Sequence, residues 1–174
     1  NNVKMKVIFF FFFGVLNVIS QGYDEYGSLF HKHFEDNLRY IIEQTEAKIV
    51  ISSTWRMSGL EQMQAMWKHR GLAGEVIDCT PHCAQLVNAQ KFKHYDEVER
   101  GHEIQEWLDE HPEVTNYVIL DDDNDMLFTQ SENFVRCANN RSHEDCVDIG
   151  YGLTKKCADL AIYILNNRTD SHCL

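Results

Sequence analysis

Four carboxylates fall within five residues at Asp121-Asp122-Asp123-Asn124-Asp125, directly after the apolar run Tyr117-Val118-Ile119-Leu120. Like charges packed so closely repel unless a cation or solvent comes between them. Hard divalent ions such as magnesium take oxygen ligands of this kind. An acidic run by itself reads as a solvated turn; its position at the end of an apolar run favours a metal site. Two more polar clusters follow apolar runs in the same way. Ser52-Ser53-Thr54-Trp55-Arg56 succeeds Lys48-Ile49-Val50-Ile51, and Gly14-Val15-Leu16-Asn17 succeeds five phenylalanines, Phe9 to Phe13. Adjacent hydroxyls at Ser52, Ser53 and Thr54, together with the N–H groups of a turn, suit a phosphate, or equally an ordinary cap. Arg56 could pair with that phosphate, and Trp55 could stack on a base or simply pack.

The elements that must position these clusters can be read from periodicity. Lys6 to Leu16 reads as a first buried strand, Lys48 to Ser52 as a second, Glu75 to Ile77 as a short third and Tyr117 to Leu120 as the next; Phe134 and Val135 suggest another. Between them lie helical stripes. Phe34, Leu38, Ile41, Ile42 and Thr45 form one; Met63, Met66 and Trp67, behind a Ser58–Glu61 capping box and before Gly71, form a second. Ile104, Trp107, Leu108 and His111, stopped by Pro112, form a third, and Cys157, Ala161, Ile164 and Leu165, capped by Thr154, a fourth. Strands alternating with helices predict a parallel sheet covered on both faces, with ligands beyond the carboxyl ends of the strands. The three polar clusters all stand at such ends.

Composition narrows the function. The chain has 174 residues, 44% of them apolar and only two prolines, so one domain over residues 1–174 is expected, with a core of about 5–166 and a short tail at 167–174. A formal charge of -11 argues against nonspecific nucleic-acid binding, which needs a basic face, but not against gripping one phosphorylated end of a polymer. The apolar stretch from Val7 to Ile19 is too short and interrupted to span a bilayer and reads as the buried strand rather than a discarded leader. The six cysteines read as reduced and mostly buried, consistent with a cytoplasmic setting; if the protein were secreted, disulfides and sugars at Asn140 and Asn167 would become open to it. A zinc site from Cys79, His82, Cys83, His143 and Cys146 matches no common spacing.

Together, Gly14-Val15-Leu16-Asn17, ISSTWR, RGHEIQEWL, YVILDDDNDM and the Gly-Leu-Thr opening the last helix resemble the haloacid-dehalogenase-like (HAD) superfamily. More narrowly, they resemble the small HAD domain of Swiss Army Knife RNA-repair proteins. The resemblance implies a Rossmannoid α/β fold, essentially capless, and a magnesium-dependent phosphohydrolase. An Asp at position 11 would attack phosphorus, and a second at 13 would serve as acid and base. Ser52 would bind the phosphoryl group and Arg100 would neutralise it, with Lys91 and Lys93 as weaker choices. Asp121, Asp122 and Asp125 would hold the ion. An open site suits phosphorylated nucleic-acid ends, with Trp55, His31, His33 and Arg56 as candidate lining.

Positions 11 and 13 are nevertheless Phe11 and Phe13. Phenylalanine has no lone pair for phosphorus, no transferable proton and no metal-binding oxygen. The chain as written is expected to be inactive. Because the other motif residues stand in place, engineered or misrecorded aspartates are favoured over natural drift. A non-catalytic binding module and a small-nucleotide phosphatase are the alternatives.

Overall fold

The computed structural model of the chain describes residues 4–12, 14–17, 21–137 and 152–167. Its strands are β1 (Met5–Phe10), β2 (Tyr23–Asp24), β3 (Gly27–Ser28), β4 (Lys48–Ile51), β5 (Val76–Cys79), β6 (Val114–Asp121) and β7 (Phe134–Arg136). Its α-helices are α1 (Lys32–Thr45), α2 (Leu60–His69), α3 (Cys83–Asn88), α4 (Arg100–Asp109) and α5 (Lys155–Asn167). Five strands form one sheet in the order β5-β4-β1-β6-β7, every pairing parallel. The chain builds outward from β1 to β4 and β5, then crosses to β6 and β7, so the order reverses beside β1. In sheets of this kind ligands bind where the order reverses, here at the carboxyl ends of β1, β4 and β6.

The phenylalanine run fits because β1 is central. Successive side chains of a strand point to opposite faces. Ile8 and Phe10 enter the core under α1, α2 and α5, whereas Val7 and Phe9 enter the core under α4. Phe9 meets Trp107 and Tyr117 edge-on, with centroids 5.4 and 5.9 Å apart. A strand buried on both sides has no need of polar positions.

Most expected elements form, with shifted boundaries. The first strand stops at Phe10 rather than Leu16, since the N–H groups of Val15 and Leu16 both turn back to the Phe12 carbonyl. The Ser58–Glu61 capping box does not form. Ser58 closes a 3-10 turn, Thr54–Ser58, and α2 starts after Gly59, whose φ of 93° suits glycine. Between Gly59 and Arg100, where only one helix and one strand were expected, α3 and a 3-10 turn at Tyr95–Glu97 are added. Both are too short to show an apolar period. The small β2–β3 hairpin is pinned by Arg70, which donates to both Asp24 carboxylate oxygens and to the carbonyls of Gly27 and Ser28. Among the described residues no helix is long and apolar enough to cross a membrane.

Candidate active site at the carboxyl ends of the strands

Arg100 is the residue on which the crevice converges. It opens α4, and its guanidinium lies 4.5 Å from the centre of the Phe11 ring. Its Nη1 donates to the Ser52 carbonyl and stands 3.3 Å from the Ser52 hydroxyl; its Nε stands 3.4 Å from Asp121 Oδ2. Three adjacent strand ends thus meet one cation. Ser52 and Asp121 are both essentially buried.

The acidic turn is shaped around the same helix start. Asp121 Oδ1 accepts from the Asp123 N–H at 3.0 Å, but Oδ2, at ion-pair distance from Arg100 without hydrogen-bond alignment, has no hydrogen bond. Burial pushes the Asp121 carboxyl well above the usual carboxylate range; Arg100 pulls against that shift, and Asp125 and Asp122 add to it. Asp125 accepts weakly from the Arg100 N–H at 3.4 Å and leaves its own Oδ1 buried without a hydrogen bond. Asp122 lies flat against Gly14, where any Cβ would collide with its carboxylate, and Gly14 also has a φ of 75°. That contact ties the turn after β1 to the turn after β6.

Two orphan carboxylate oxygens are what a metal site would use, yet the described residues contain no group of three His, Cys, Asp or Glu side chains placed to hold an ion. The Phe11 ring, under the Arg100 guanidinium, offers no oxygen to such a group. The described residues therefore do not by themselves complete a magnesium site.

The remaining candidates separate. Arg56, expected to bind substrate, is buried and turned inward, a correction to that reading. Its guanidinium donates to the carbonyls of Thr80, Ser52 and Ser53 and to Glu103, so it braces the Ser52 turn from behind. Burial lowers the Arg56 pKa and raises that of Glu103, each partner compensating the other only in part. Ser53, also expected at the substrate, is buried with its Oγ accepting from the Trp55 N–H as a cap. Thr54 is exposed at the start of the 3-10 turn. Trp55 packs against Phe12 and Phe30, with centroids 5.2 and 5.9 Å away. His31 and His33 gather around Phe34 at the start of α1. Lys91 pairs with Glu106, a turn and a half along α4 from Arg100, and Lys93 is exposed. Phe13, His143 and Cys146 lie outside the described residues. Cys79, Cys83, Cys137 and Cys157 are free thiols.

Sequence reasoning did not single out Gln130, which is fully buried and joins the two halves of the site. Its Nε2 donates to the Gly101 carbonyl at 2.9 Å and its Oε1 accepts from the Leu127 N–H at 3.0 Å. The Gly101 N–H in turn donates to the Asp125 carbonyl at 3.0 Å. A lone glutamine in a polar loop carries no periodic signal, and Glu103, one turn beyond Arg100 on the same helix, was likewise not singled out.

A family model described as the HAD domain in Swiss Army Knife RNA repair proteins matches residues 7–142. The chain belongs to this family. The parallel sheet and its order agree with a HAD-like Rossmannoid domain. No curated protein and no solved structure matches the chain. Membership makes this a HAD-type domain and suggests the phosphatase type; the family is described from RNA repair proteins, and the superfamily generally uses magnesium.

Proposed function

We propose that this HAD domain is built to hydrolyse phosphate from phosphorylated nucleic-acid ends, and that Phe11 and Phe13 leave the present form without the chemistry. The observation that carries the reading is the convergence of Arg100 on Phe11, the Ser52 hydroxyl and Asp121. A cation held among a hydroxyl, a carboxylate and the strand end where a nucleophile would project is an arrangement for a transferring phosphoryl group. With Asp at both positions, the carboxylate at 11 would form a bond to phosphorus as the bond to the leaving oxygen breaks. The acid at 13 would hand its proton to that oxygen. Water would then attack the acyl phosphate, give a proton to position 13 and release inorganic phosphate. In that restored site magnesium would shield charge, with Asp121, Asp122 and Asp125 its candidate ligands. Ser52 and Arg100 would hold the phosphoryl oxygens throughout.

The test restores the aspartates. Phe11→Asp/Phe13→Asp should release phosphate from terminally phosphorylated RNA in magnesium, and Phe13→Asp alone almost none, because without a nucleophile the acid has nothing to assist. Release that is equally fast from the unrestored chain would refute the mechanism. A second reading, a non-catalytic binding module, is favoured by one contact: the Phe11 ring gives Arg100 a cation–π partner where the nucleophile would stand. Silence of the double Asp variant toward every phosphate ester would select that reading.

A further inference from the structure

We infer that Phe128 is a stacking platform for the terminal base of a single-stranded nucleic acid whose phosphate enters the Arg100 crevice; the inference rests on the phosphohydrolase reading above. In the run Met126-Leu127-Phe128 the two smaller side chains turn inward. Met126 packs with the core under α4, and Leu127 sits against Gly101. The largest of the three turns out, and Phe128 is 93% exposed, the most exposed large apolar side chain among the described residues. A single exposed phenylalanine is ordinary in itself; its mounting and its place set this one apart.

The mounting is rigid. The residue before it is held through its N–H by the buried Gln130, and the same Gln130 holds the Gly101 carbonyl. The backbone carrying the ring is therefore fixed to the first turn of α4, one residue from Arg100 and three from Asp125. With the backbone anchored, only the ring's own torsions remain to be ordered on stacking, which lowers the cost of the contact.

Charge also points to stacking. A formal charge of -11 disfavours holding a polyanion by neutralising phosphates along it. Beyond the one phosphoryl group that Arg100 can take, a contact that needs no positive charge is the better source of affinity. Base–aromatic stacking is such a contact and tolerates any base.

The test measures fluorescence anisotropy of a short single-stranded RNA with a terminal phosphate, titrated with the full chain, in which Phe11 and Phe13 leave bound RNA unconsumed. In parallel, Phe11→Asp/Phe13→Asp is assayed on the same RNA and on p-nitrophenyl phosphate. Phe128→Ala should weaken RNA binding about tenfold and lower the RNA-to-ester ratio of kcat/KM by a similar factor. Phe128→Trp should keep both, and Tyr163→Ala, an exposed ring on α5, should change neither. Binding should fall only gently with salt, with a logarithmic slope of about -1, as expected for one or two phosphates. Undiminished affinity and ratio in Phe128→Ala, equal use of RNA and ester without RNA binding, or a slope of about -4 or steeper would each overturn the platform alone. No hydrolysis of either substrate by the double Asp variant would overturn the reading beneath it.

Discussion

Replacing Gly101 by alanine sets two effects against each other, and the structure decides which wins. Gly101 is the second residue of α4 and has ordinary helical backbone, so alanine should favour the helix by up to about 1 kcal/mol. Its Cβ, however, would stand 2.5 Å from the Leu127 backbone nitrogen, 2.7 Å from Gln130 Oε1 and 3.0 Å from Leu127 Cγ. Ordinary contact lies about 1 Å further out than the first of these. The nearest atom is backbone and cannot swing aside, so the acidic loop and α4 must part. Overpacking of this kind costs about 1–3 kcal/mol. Separation also strains the Gln130 bridge, and a buried N–H or carbonyl left unpaired adds about 1–3 kcal/mol. The net expectation is destabilisation by about 2 kcal/mol, read in urea as a midpoint lower by roughly 1 M at an m-value of about 2 kcal/mol/M. The same displacement moves Arg100, the preceding residue, relative to Asp121. In the double Asp background kcat should therefore fall by about tenfold or more, as small misplacements at reacting centres do. A variant as stable as the parent and fully active would refute the claim that glycine is required by close packing.

Three other expectations follow from particular contacts. Glu103→Leu should destabilise by about 3–5 kcal/mol, because Arg56 would stay buried without its carboxylate, whereas Arg56→Met/Glu103→Leu should recover much of the loss; urea midpoints of the two variants check this. The Asp24 carboxylate is held down to a pKa of about 2, chiefly by its hydrogen bonds from Arg70. A depressed folded pKa contributes stability that is present above the unfolded value, about 4, and is lost as pH falls toward 2. The midpoint gap between the parent and Asp24→Asn should accordingly be full at pH 6 and close as the pH is lowered through that window; a gap that widens in acid would refute the assignment. Calorimetry with magnesium should give about millimolar affinity or weaker for the chain with Phe11 and Phe13, since no three acidic side chains of the described residues are grouped to hold an ion and Phe11 offers no oxygen, and a micromolar constant would mean that other residues complete the shell.

Much of this protein could be read from the chain alone. Strong apolar runs at Val7–Phe10, Lys48–Ile51 and Tyr117–Leu120 specify buried parallel strands, because burial on both faces leaves a strand no polar alternative. The stripes at Phe34–Thr45 and Cys157–Leu165 specify helices with the faces that pack inward. The three polar clusters could be read from their places after apolar runs, whereas Arg100 was pointed to only by the resemblance to the HAD family. Tertiary structure decided what periodicity does not encode. Arg56 and Ser53 stand beside Ser52 in the chain, yet the turn at 53–58 points one inward as a brace and makes the other a cap. Gln130 lies 29 residues from Gly101 and acquires its partners only when the loop after β6 docks on α4. Phe11 and Phe12 are adjacent identical letters with opposite surroundings. The turn at Gly14 folds Phe12 back into an aromatic core, whereas Phe11 comes to lie in the crevice beneath a guanidinium brought there by a helix some ninety residues later. Local sequence determines which elements can form; contacts between distant segments determine which way each side chain faces once those elements meet.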